Sequence, residues 1–424
     1  MPDTPRTDTP RLRSWLLATA LVWMAITNGS ILWNTRVEIR RGYSDFASFY
    51  TAGTLVRRGR GAELYNHKTQ WNVQQEFASE VKIRQGPLPY IRPPFEALLF
   101  SVFAAWPYLT ALFLWTCVKL VLLAAIPFVV VRRGSWQEHI PLWAVGLLTL
   151  GTFPEFKDLL MGQDAPLLAF LFAISYWQLA TDRDVGAGVA LGLALFKFHL
   201  VIPFVVALWI ARRQRVLVGF AASALFVLAL SVGVVCWRGL LQYPRDLLAL
   251  NQASGVGLVT PESQMNLRGL LIFVVGRVSY PGRIHWLLAP VALAAVVYAG
   301  RLWRKAGDRF LAEGFGLAMT MAIVTSYYAY DFDLVSLMVP LVAMYAGRAN
   351  APPADRSTRY LQAGGLCLLL LMPLYWFTIV QLKAECLMTL PMLAVGAALA
   401  RKLRFAGGAG VGGQRRVLAR EVPR

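Results

Sequence analysis

An aspartate, Asp45, lies shortly after the first apolar stretch of the chain, Ser14 to Trp33, in a polar segment rich in arginine and aromatic side chains. A carboxylate can accept a proton from an attacking hydroxyl group. Arginines nearby can hold an anionic group such as a phosphate. A loop that follows a membrane helix can place both beside a lipid. This combination predicts chemistry on an anionic lipid substrate at one face of a membrane.

The composition predicts a polytopic helical membrane protein. Of the 424 residues, 57% are hydrophobic and 15% are charged, and several apolar runs are long enough to cross hydrocarbon. The net charge of +19 comes from lysines and arginines that separate the apolar runs, which indicates membrane topology and not nucleic-acid binding. The four cysteines lie in or beside apolar runs without metal-ligand spacing, and we interpret them as small core residues.

The hydrophobic runs predict an all-α protein with about twelve transmembrane helices in one domain, residues 1–400, followed by a basic, disordered cytoplasmic tail, residues 401–424. The candidate spans are residues 14–33, 109–131, 141–153, 165–181, 185–197, 199–211, 216–236, 285–300, 310–327, 333–346, 361–380 and 387–400. Several are shorter than the roughly 20 residues of a straight crossing. The pair around Lys197 is compatible with two half-helices or with a re-entrant hairpin. Residues 93–107 form another apolar run, predicted to lie along the membrane or to dip into it.

The basic residues orient these spans. More than half of the 42 lysines and arginines fall in the two termini and in short loops that the span order places on the same side as the termini. Because basic residues favour the cytoplasmic side, both termini are predicted to be cytoplasmic. Two long loops, residues 34–108 and 237–284, then lie outside. Their own excess of basic residues indicates an anionic ligand.

The polar residues that could do chemistry gather on the outer side of this topology. They are Asp45, Arg92, Glu96, Gln163, Asp164, Lys197, His199, Asn266, Arg268, Tyr328, Asp331 and Asp333. Ionisable groups at membrane depth are costly, so each is a candidate for function. Arg268 also has an ordinary explanation, because it could pair with Glu262 instead of a ligand.

Other candidates have structural explanations of the same kind. Asp45, Asp331 and Asp333 could cap the helices that follow them. Lys197 and His199 could extend their polar groups to the membrane interface from helix ends. Asp331 and Asp333 also have the spacing of a metal-binding pair, but two carboxylates make a thin coordination shell. We therefore predict no metal and no cofactor.

A series of motifs follows a fixed order between residues 43 and about 340. The motifs are Asp45-Phe46, Phe49-Tyr50-Thr51-Ala52-Gly53, Leu64-Tyr65-Asn66, Tyr90-Ile91-Arg92-Pro93-Pro94-Phe95-Glu96-Ala97-Leu98-Leu99, Met161-Gly162-Gln163-Asp164, Ala187-Gly188 with Leu191-Gly192-Leu193-Ala194 before Lys197, Asn266-Leu267-Arg268-Gly269-Leu270, and Tyr330-Asp331-Phe332-Asp333-Leu334-Val335. This order resembles glycosyltransferase family 87, integral-membrane GT-C enzymes that include polyprenol-phosphate-mannose-dependent mannosyltransferases of envelope glycolipids. The resemblance implies a GT-C-like fold with juxtamembrane helices in a long first periplasmic loop.

The chain departs from the family pattern at four places. It has Asn66 where the family usually has aspartate, Asp164 where it has asparagine, and Phe198 where it has proline. Tyr327 and Tyr328 stand where relatives often have a histidine. A phenol is a poorer base than imidazole at neutral pH, so any role of that histidine with the acceptor is in question here.

The resemblance implies a glycosyltransferase that moves a sugar from a polyprenyl-phosphate donor to a lipid or glycan acceptor, on the periplasmic side of a bacterial inner membrane. It favours mannose, with arabinose or another pentose as the alternative. Asp45 is the predicted general base, as the resemblance implies for the acidic residue of the first loop. Direct displacement with one carboxylate would invert the anomeric centre.

Nine further residues are predicted to bind substrate. They are Arg92, Lys197, His199, Arg268, Gln163, Asn266, Tyr50, Tyr328 and Asp331. The cations of this set suit the leaving phosphate, because arginine forms bidentate hydrogen bonds and lysine supplies a point charge. The amides and Tyr50 suit sugar hydroxyl groups.

Two other functions fit a polytopic chain. A lipid or sugar transporter or flippase would also have broken helices and buried charges, and a non-catalytic scaffold would need no base. The chain shows no inverted repeat of broken segments, and its polar residues gather at one face and not at the midplane. The sequence has no glycine-rich nucleotide-binding motif after a strand. These features favour an enzyme with a lipid-linked donor.

Overall fold

The computed structural model describes residues 45–78, 88–131, 152–252, 263–275, 284–346 and 375–418, together with residue 364 and scattered positions between 15 and 37. All regular structure in these residues is helical. The α-helices are α1 (Phe46–Arg57), α2 (His67–Glu76), α3 (Pro94–Phe103), α4 (Tyr108–Val130), α5 (Phe153–Met161), α6 (Ala165–Ala180), α7 (Asp184–Leu193), α8 (Phe198–Ile210), α9 (Arg215–Gln252), α10 (Leu267–Val275), α11 (Ile284–Ala306), α12 (Leu311–Thr325), α13 (Met338–Ala346) and α14 (Thr389–Leu418). The prediction of an all-helical protein is confirmed.

Among the described residues, four helical segments are long and apolar enough to cross a membrane. They are Tyr108–Val130, Asp184–Ile210, Arg215–Leu247 and Glu385–Ala406. Most of the predicted spans 141–153 and 361–380 lies outside the described residues, and only scattered helical positions are described in 14–33. The predicted span 333–346 is a 3-10 helix, Asp331–Leu337, followed by the nine-residue α13. The number of twelve spans therefore stays a prediction.

The segment Asp184–Ile210 is a hairpin and not one straight crossing. As a straight helix its 27 residues would extend roughly 40 Å. However, Asp184 at its start accepts a hydrogen bond of 3.0 Å from Arg213, just beyond its end. The chain reverses at the 3-10 turn Ala194–Lys197, where Lys197 has φ −113° and ψ 55°. The chain thus turns back on itself at Lys197, and its re-entrant course in the membrane stays a prediction.

Helices α7 and α9 pack closely because glycines face the contact. A Cβ atom on Gly188 would lie 2.0 Å from the carbonyl oxygen of Val216, and one on Gly219 would lie 1.9 Å from that of Val185. Backbone atoms cannot move aside as a flexible side chain can. The hairpin is thereby held against the first turns of α9.

We expect Gly188→Ala to lower the free energy of unfolding by about 1–3 kcal/mol, because the added methyl group overpacks a backbone contact. Thermal unfolding in detergent measures this change. Gly233→Ala on α9 is the matched control, since nothing lies within 4 Å of its Cβ position and alanine favours a helix by up to about 1 kcal/mol. A Gly188→Ala protein as stable as the control would contradict the packing.

An aromatic cluster joins the helices that carry the polar residues. The ring of Phe204 on α8 lies 5.0 Å from that of Phe172 on α6 and 4.7 Å from that of Phe315 on α12. All three side chains are buried. Such contacts add to the burial of apolar surface and fix the relative positions of the three helices.

The predicted first loop contains three helices, α1 to α3, and their place beside the membrane stays a prediction. Helix α3 begins at Pro94 within the apolar run 93–107. Gly53 of α1 packs on α3, where a Cβ atom would lie 2.3 Å from the carbonyl oxygen of Phe100. Asn66, one of the departures from the family pattern, caps α2 by accepting a hydrogen bond of 3.0 Å from the Thr69 amide.

Helix α14 continues to Leu418, within the predicted tail of residues 401–424, and the disorder of that tail stays a prediction. Its first half is anchored on the bundle, where Lys402 donates a hydrogen bond of 2.6 Å to Glu313. A helix that is already nucleated extends readily, because each added residue forms another hydrogen bond. The composition of the tail did not reveal this continuation.

Candidate active site

The helices bring charged side chains together at two opposite ends of the bundle. Helix α6 begins next to Asp164, and α8 begins next to Lys197. We call this the cavity end. Both helices run to the other end, where Arg213 binds Asp184, and we call that the arginine end. The 16 residues of α6 separate the two ends by roughly 24 Å.

A cavity of about 320 Å³ opens at the cavity end. Its lining residues are Asp45, Ser48, Phe49, Leu88, Pro89, Ile91, Arg92, Lys157, Met161, Gln163, Phe196, Phe198, His199, Leu247, Ser263, Tyr328, Tyr330, Phe332, Asp333 and Glu385. The predicted site residues among them are Asp45, Arg92, Gln163, His199 and Tyr328. Half of the predicted site therefore faces one cavity, although these residues come from distant parts of the chain.

Asp45 stands at the N-cap position of α1, but its carboxylate does not cap that helix. Its backbone carbonyl oxygen accepts hydrogen bonds from Ser48. The carboxylate instead accepts a hydrogen bond of 2.7 Å from the amide of Gln163. The capping explanation for Asp45 is thus wrong for its side chain, which faces the cavity.

Gln163 is held by the tight turn between α5 and α6. Gly162 has φ 66°, a left-handed conformation that glycine adopts without steric cost, and a Cβ atom there would lie 2.6 Å from that of Phe46. The indole of Trp115 donates to the carbonyl oxygens of Gly162 and Gln163, at 3.1 and 3.3 Å. This turn is therefore fixed by the side chains around it.

A buried ion pair supports the same turn. Lys119 of α4 binds Asp158 of α5 at 2.9 Å, and both side chains are fully buried. The second carboxylate oxygen of Asp158 accepts from the backbone amide of Ala165, at 3.1 Å. No role for Lys119 follows from the sequence, yet its contacts position the turn that carries Gln163.

Arg92 binds both polar side chains of that turn. Its guanidinium donates to Gln163 at 3.1 Å and lies 3.1 Å from the carboxylate of Asp164. Burial would lower the pKa of Arg92, but Asp164 and the other carboxylates around it raise that pKa above its ordinary value. Arg92 therefore keeps its charge. The single amide of Gln163 links this cation to Asp45.

Lys197 lies behind Arg92 and does not line the cavity. Its ammonium binds Asp164 at 2.8 Å and Asp333 at 2.6 Å, and its side chain is 1% exposed. It also lies 4.9 Å from the ring centroid of Phe332. The explanation that Lys197 reaches the membrane interface is wrong, because its charge is satisfied inside the bundle.

Asp331 and Asp333 bind different lysines. Asp331 pairs with Lys157 at 2.6 Å, and Asp333 pairs with Lys197. Asp333 also accepts from the backbone amide of Tyr330 at 3.0 Å, so the capping explanation is correct for this residue. In the part of the chain that the structure describes, no three His, Cys, Asp or Glu side chains form a group that could hold a metal ion.

Arg268 lies next to the cavity behind two tyrosines. Its guanidinium is 4.2 Å from the ring centroid of Tyr327 and 5.9 Å from that of Tyr328, a cavity residue. It donates to Gln264 at 3.3 Å, and its buried Nε has no hydrogen-bond partner among the described residues. Glu262, the alternative partner, lies outside the described residues.

Three other predicted residues are Asn266, Tyr50 and Tyr328. Asn266 and Tyr50 do not line the cavity, and Tyr328 lines it but cannot act as a base. Asn266 caps α10 by accepting a hydrogen bond of 2.8 Å from the Gly269 amide. Tyr50 donates a hydrogen bond of 2.9 Å to the carbonyl oxygen of Trp106 and does not line the cavity. Burial raises the pKa of Tyr328 to about 12, so its phenol is neutral at pH 7 and can donate a hydrogen bond but not act as a base.

Sequence reasoning missed two charged residues of the cavity, Lys157 and Glu385. They lie 3.3 Å apart, and Lys157 also binds Asp331. The predicted topology places Lys157 in the short loop between the spans 141–153 and 165–181. Its partner is far away in the chain, and no local spacing could have indicated the pair.

The sequence model of glycosyltransferase family 87 matches residues 90–326. This range includes the cavity residues from Ile91 to Ser263 and the buried Lys197. No curated protein and no solved structure matches the chain. The family match covers more than half of the 424 residues, and the protein therefore belongs to glycosyltransferase family 87.

Proposed function

We propose that this membrane glycosyltransferase moves a sugar from a polyprenyl-phosphate donor to a hydroxyl group of a lipid or glycan acceptor, with Asp45 as general base. The observation that supports this most is the bridge from Asp45 through Gln163 to Arg92. Through one amide at the wall of one cavity, it joins the carboxylate proposed as proton acceptor to a cation that suits a phosphate. Membership of a glycosyltransferase family favours an enzyme over a transporter, flippase or scaffold.

The proposed reaction is a direct displacement at the anomeric carbon. The oxygen of the acceptor hydroxyl group forms a bond to the anomeric carbon, and Asp45 takes the proton of that hydroxyl group. The bond from the anomeric carbon to the phosphate oxygen breaks, and the electron pair leaves with the phosphate. The configuration of the sugar is inverted because no covalent enzyme intermediate forms. Mannose is the sugar that the family resemblance favours, and the reaction uses no metal or cofactor.

We assign the leaving phosphate to the cations around Asp45. Arg92 faces the cavity directly, and Lys197 stabilises Asp164 and Asp333 behind it. Arg268 lies beside the cavity residue Tyr328, and its Nε has no hydrogen-bond partner among the described residues. Charge that develops on the phosphate is stabilised by groups that are already oriented. Apolar cavity residues such as Phe196 and Phe198 suit the first units of the isoprenoid chain.

The cavity end is assigned to the extracytoplasmic side of a bacterial inner membrane, with both termini in the cytoplasm. The loops and helix ends at the arginine end hold Arg212, Arg213, Arg215 and Arg304. Basic loops favour the cytoplasmic side. The cavity end, at the other ends of the same helices, then faces outward.

The donor class can be tested with membranes that contain the protein and an acceptor lipid fraction. We expect transfer of radiolabelled mannose from polyprenyl-phosphate mannose and none from a nucleotide sugar when no lipid donor can form. Membranes without the protein are the control. Transfer from the nucleotide sugar alone would contradict the proposal.

A binding prediction follows for Arg268. We expect Arg268→Ala to weaken the binding of polyprenyl phosphate by about tenfold to a hundredfold, because a charge-assisted hydrogen bond contributes about 1.5–3 kcal/mol. Equilibrium binding to the purified protein measures the loss, with Arg301→Ala, on the exposed side of α11, as the control. Equal affinities for the two variants would remove Arg268 from the phosphate site.

A further inference from the structure

A second concave site lies at the arginine end, roughly 24 Å from the cavity along α6. It is a groove of about 670 Å³ between three helix connections, and its lining residues are Asp182, Asp184, Ala211, Arg212, Arg213, Gln214, Arg215, Trp303, Arg304, Gly307 and Asp308. None of these residues belongs to the site described above. The groove therefore needs its own explanation.

One arginine holds the three connections together. Arg213 binds Asp184 at 3.0 Å and Asp308 at 2.5 Å, and lies 3.7 Å from Asp182. These are the three aspartates of the groove, and the four arginines that line it outnumber them by one. Within the described residues, no carboxylate lies within ion-pair distance of Arg212, Arg215 or Arg304. Three guanidinium groups are left to face an anion.

The backbone at Arg212 is unusual for its residue type. Arg212 has φ 69°, a left-handed conformation that long side chains rarely adopt and that glycine would accept without strain. A strained non-glycine residue at the edge of a concave site is a reason to look for a function. A glycine at this turn would remove the strain but also the guanidinium group, so we infer that the side chain of Arg212 is the reason for the strained backbone.

Exposed apolar residues flank the groove on the helices that form it. Trp209 is 53% exposed, Val185 is 45% exposed and Val218 is 63% exposed, each within one helical turn of a lining residue. Tryptophan is enriched where membrane helices meet the headgroup region. The groove thus combines unpaired cations with an adjacent apolar surface at a helix end.

We propose that this groove binds the phosphate headgroup of an anionic phospholipid from the leaflet at the arginine end. Arg212, Arg215 and Arg304 would bind the phosphate oxygens, and the acyl chains would lie along Trp209 and its apolar neighbours. Basic pockets between membrane helices bind acidic headgroups in this way. A free phosphate ion has the same charge chemistry but would gain nothing from the apolar flank. This site is independent of the proposed glycosyl transfer.

Native mass spectrometry of the purified full-length protein tests the site. The protein is released from nanodiscs of phosphatidylcholine alone or mixed with phosphatidylglycerol, and retained lipids are counted. We expect a retained phosphatidylglycerol that the triple variant Arg212→Gln, Arg215→Gln, Arg304→Gln binds at least about tenfold more weakly. Thermal unfolding in each nanodisc is a second readout, with stabilisation by phosphatidylglycerol expected only for the unaltered groove.

The matched control removes the same charge from neighbouring positions outside the groove, in the variant Arg301→Gln, Lys305→Gln, Arg309→Gln. These residues are exposed on and after α11 and do not line the groove. Equal losses in both triple variants would overturn the proposal, since they would reflect net charge alone. It would also be overturned if phosphatidylcholine is retained as well as phosphatidylglycerol, or if inorganic phosphate in detergent stabilises the protein as much as the lipid does.

Discussion

Replacing Asp45 with asparagine is expected to lower the rate of sugar transfer by about a hundredfold to ten-thousandfold, the usual contribution of a general base. Asparagine has the same shape as aspartate, and its amide oxygen can still accept the hydrogen bond from Gln163 that the carboxylate accepts now at 2.7 Å. The cavity should therefore keep its geometry and lose only the proton acceptor. Transfer of labelled sugar in membranes measures the rate.

The control for this substitution is Glu76→Gln on α2, which makes the same change from acid to amide. Glu76 forms an ion pair with Arg58 at 2.6 Å, and both side chains are more than 40% exposed. Exposed pairs contribute little to stability, so this variant should transfer sugar at the unaltered rate. An Asp45→Asn protein that folds and transfers sugar as fast as Glu76→Gln would show that Asp45 is not the base.

Lys197→Met is expected to be the most destabilising single substitution at the cavity end, lowering the free energy of unfolding by about 3–5 kcal/mol. The cost arises because Asp164 and Asp333 would lose the cation that they share, at 2.8 and 2.6 Å, in a site with 2% exposure or less. Thermal unfolding of the purified protein in detergent measures the loss. From the sequence, Lys197 was a candidate to contact the phosphate, and its burial now favours a positioning role.

Lys402→Met is the matched control, because Lys402 forms a short ion pair with Glu313 and its side chain is 21% exposed. It should destabilise the protein less. The double variant Lys197→Met, Asp333→Asn should regain part of the lost stability, since one uncompensated charge is removed. If Lys197→Met unfolds at the same temperature as Lys402→Met, the buried network does not stabilise the bundle as described.

Local sequence signals predicted some features of the fold and the site well. The helical class and the family followed from apolar runs and ordered motifs, and both are confirmed. The polar residues at the ends of short apolar runs were expected on the outer side of the membrane. Asp45, Arg92 and Gln163 do meet in one cavity, although the first and last are 118 positions apart. Hydropathy sets where helices end, and helix ends determine which polar groups come together.

Long-range pairs were not predictable in the same way. Lys157 and Glu385 are 228 positions apart, and Lys119 is paired across 39 positions with Asp158. A single sequence shows each charge but not its partner, because partner choice depends on how the helices pack. Tyr50 illustrates the opposite error. Its phenol suits a sugar hydroxyl group, but its hydroxyl group donates a hydrogen bond to the backbone carbonyl oxygen of Trp106.

The most direct test of the central claim is a cryo-electron microscopy map of the protein with bound polyprenyl phosphate. We expect the phosphate within hydrogen-bond distance of Arg92, with the isoprenoid chain leaving along the apolar wall of the cavity and open space beside Asp45 for the acceptor. A phosphate held away from Arg92, with Asp45 out of reach of the bond that would break, would contradict the proposed active site.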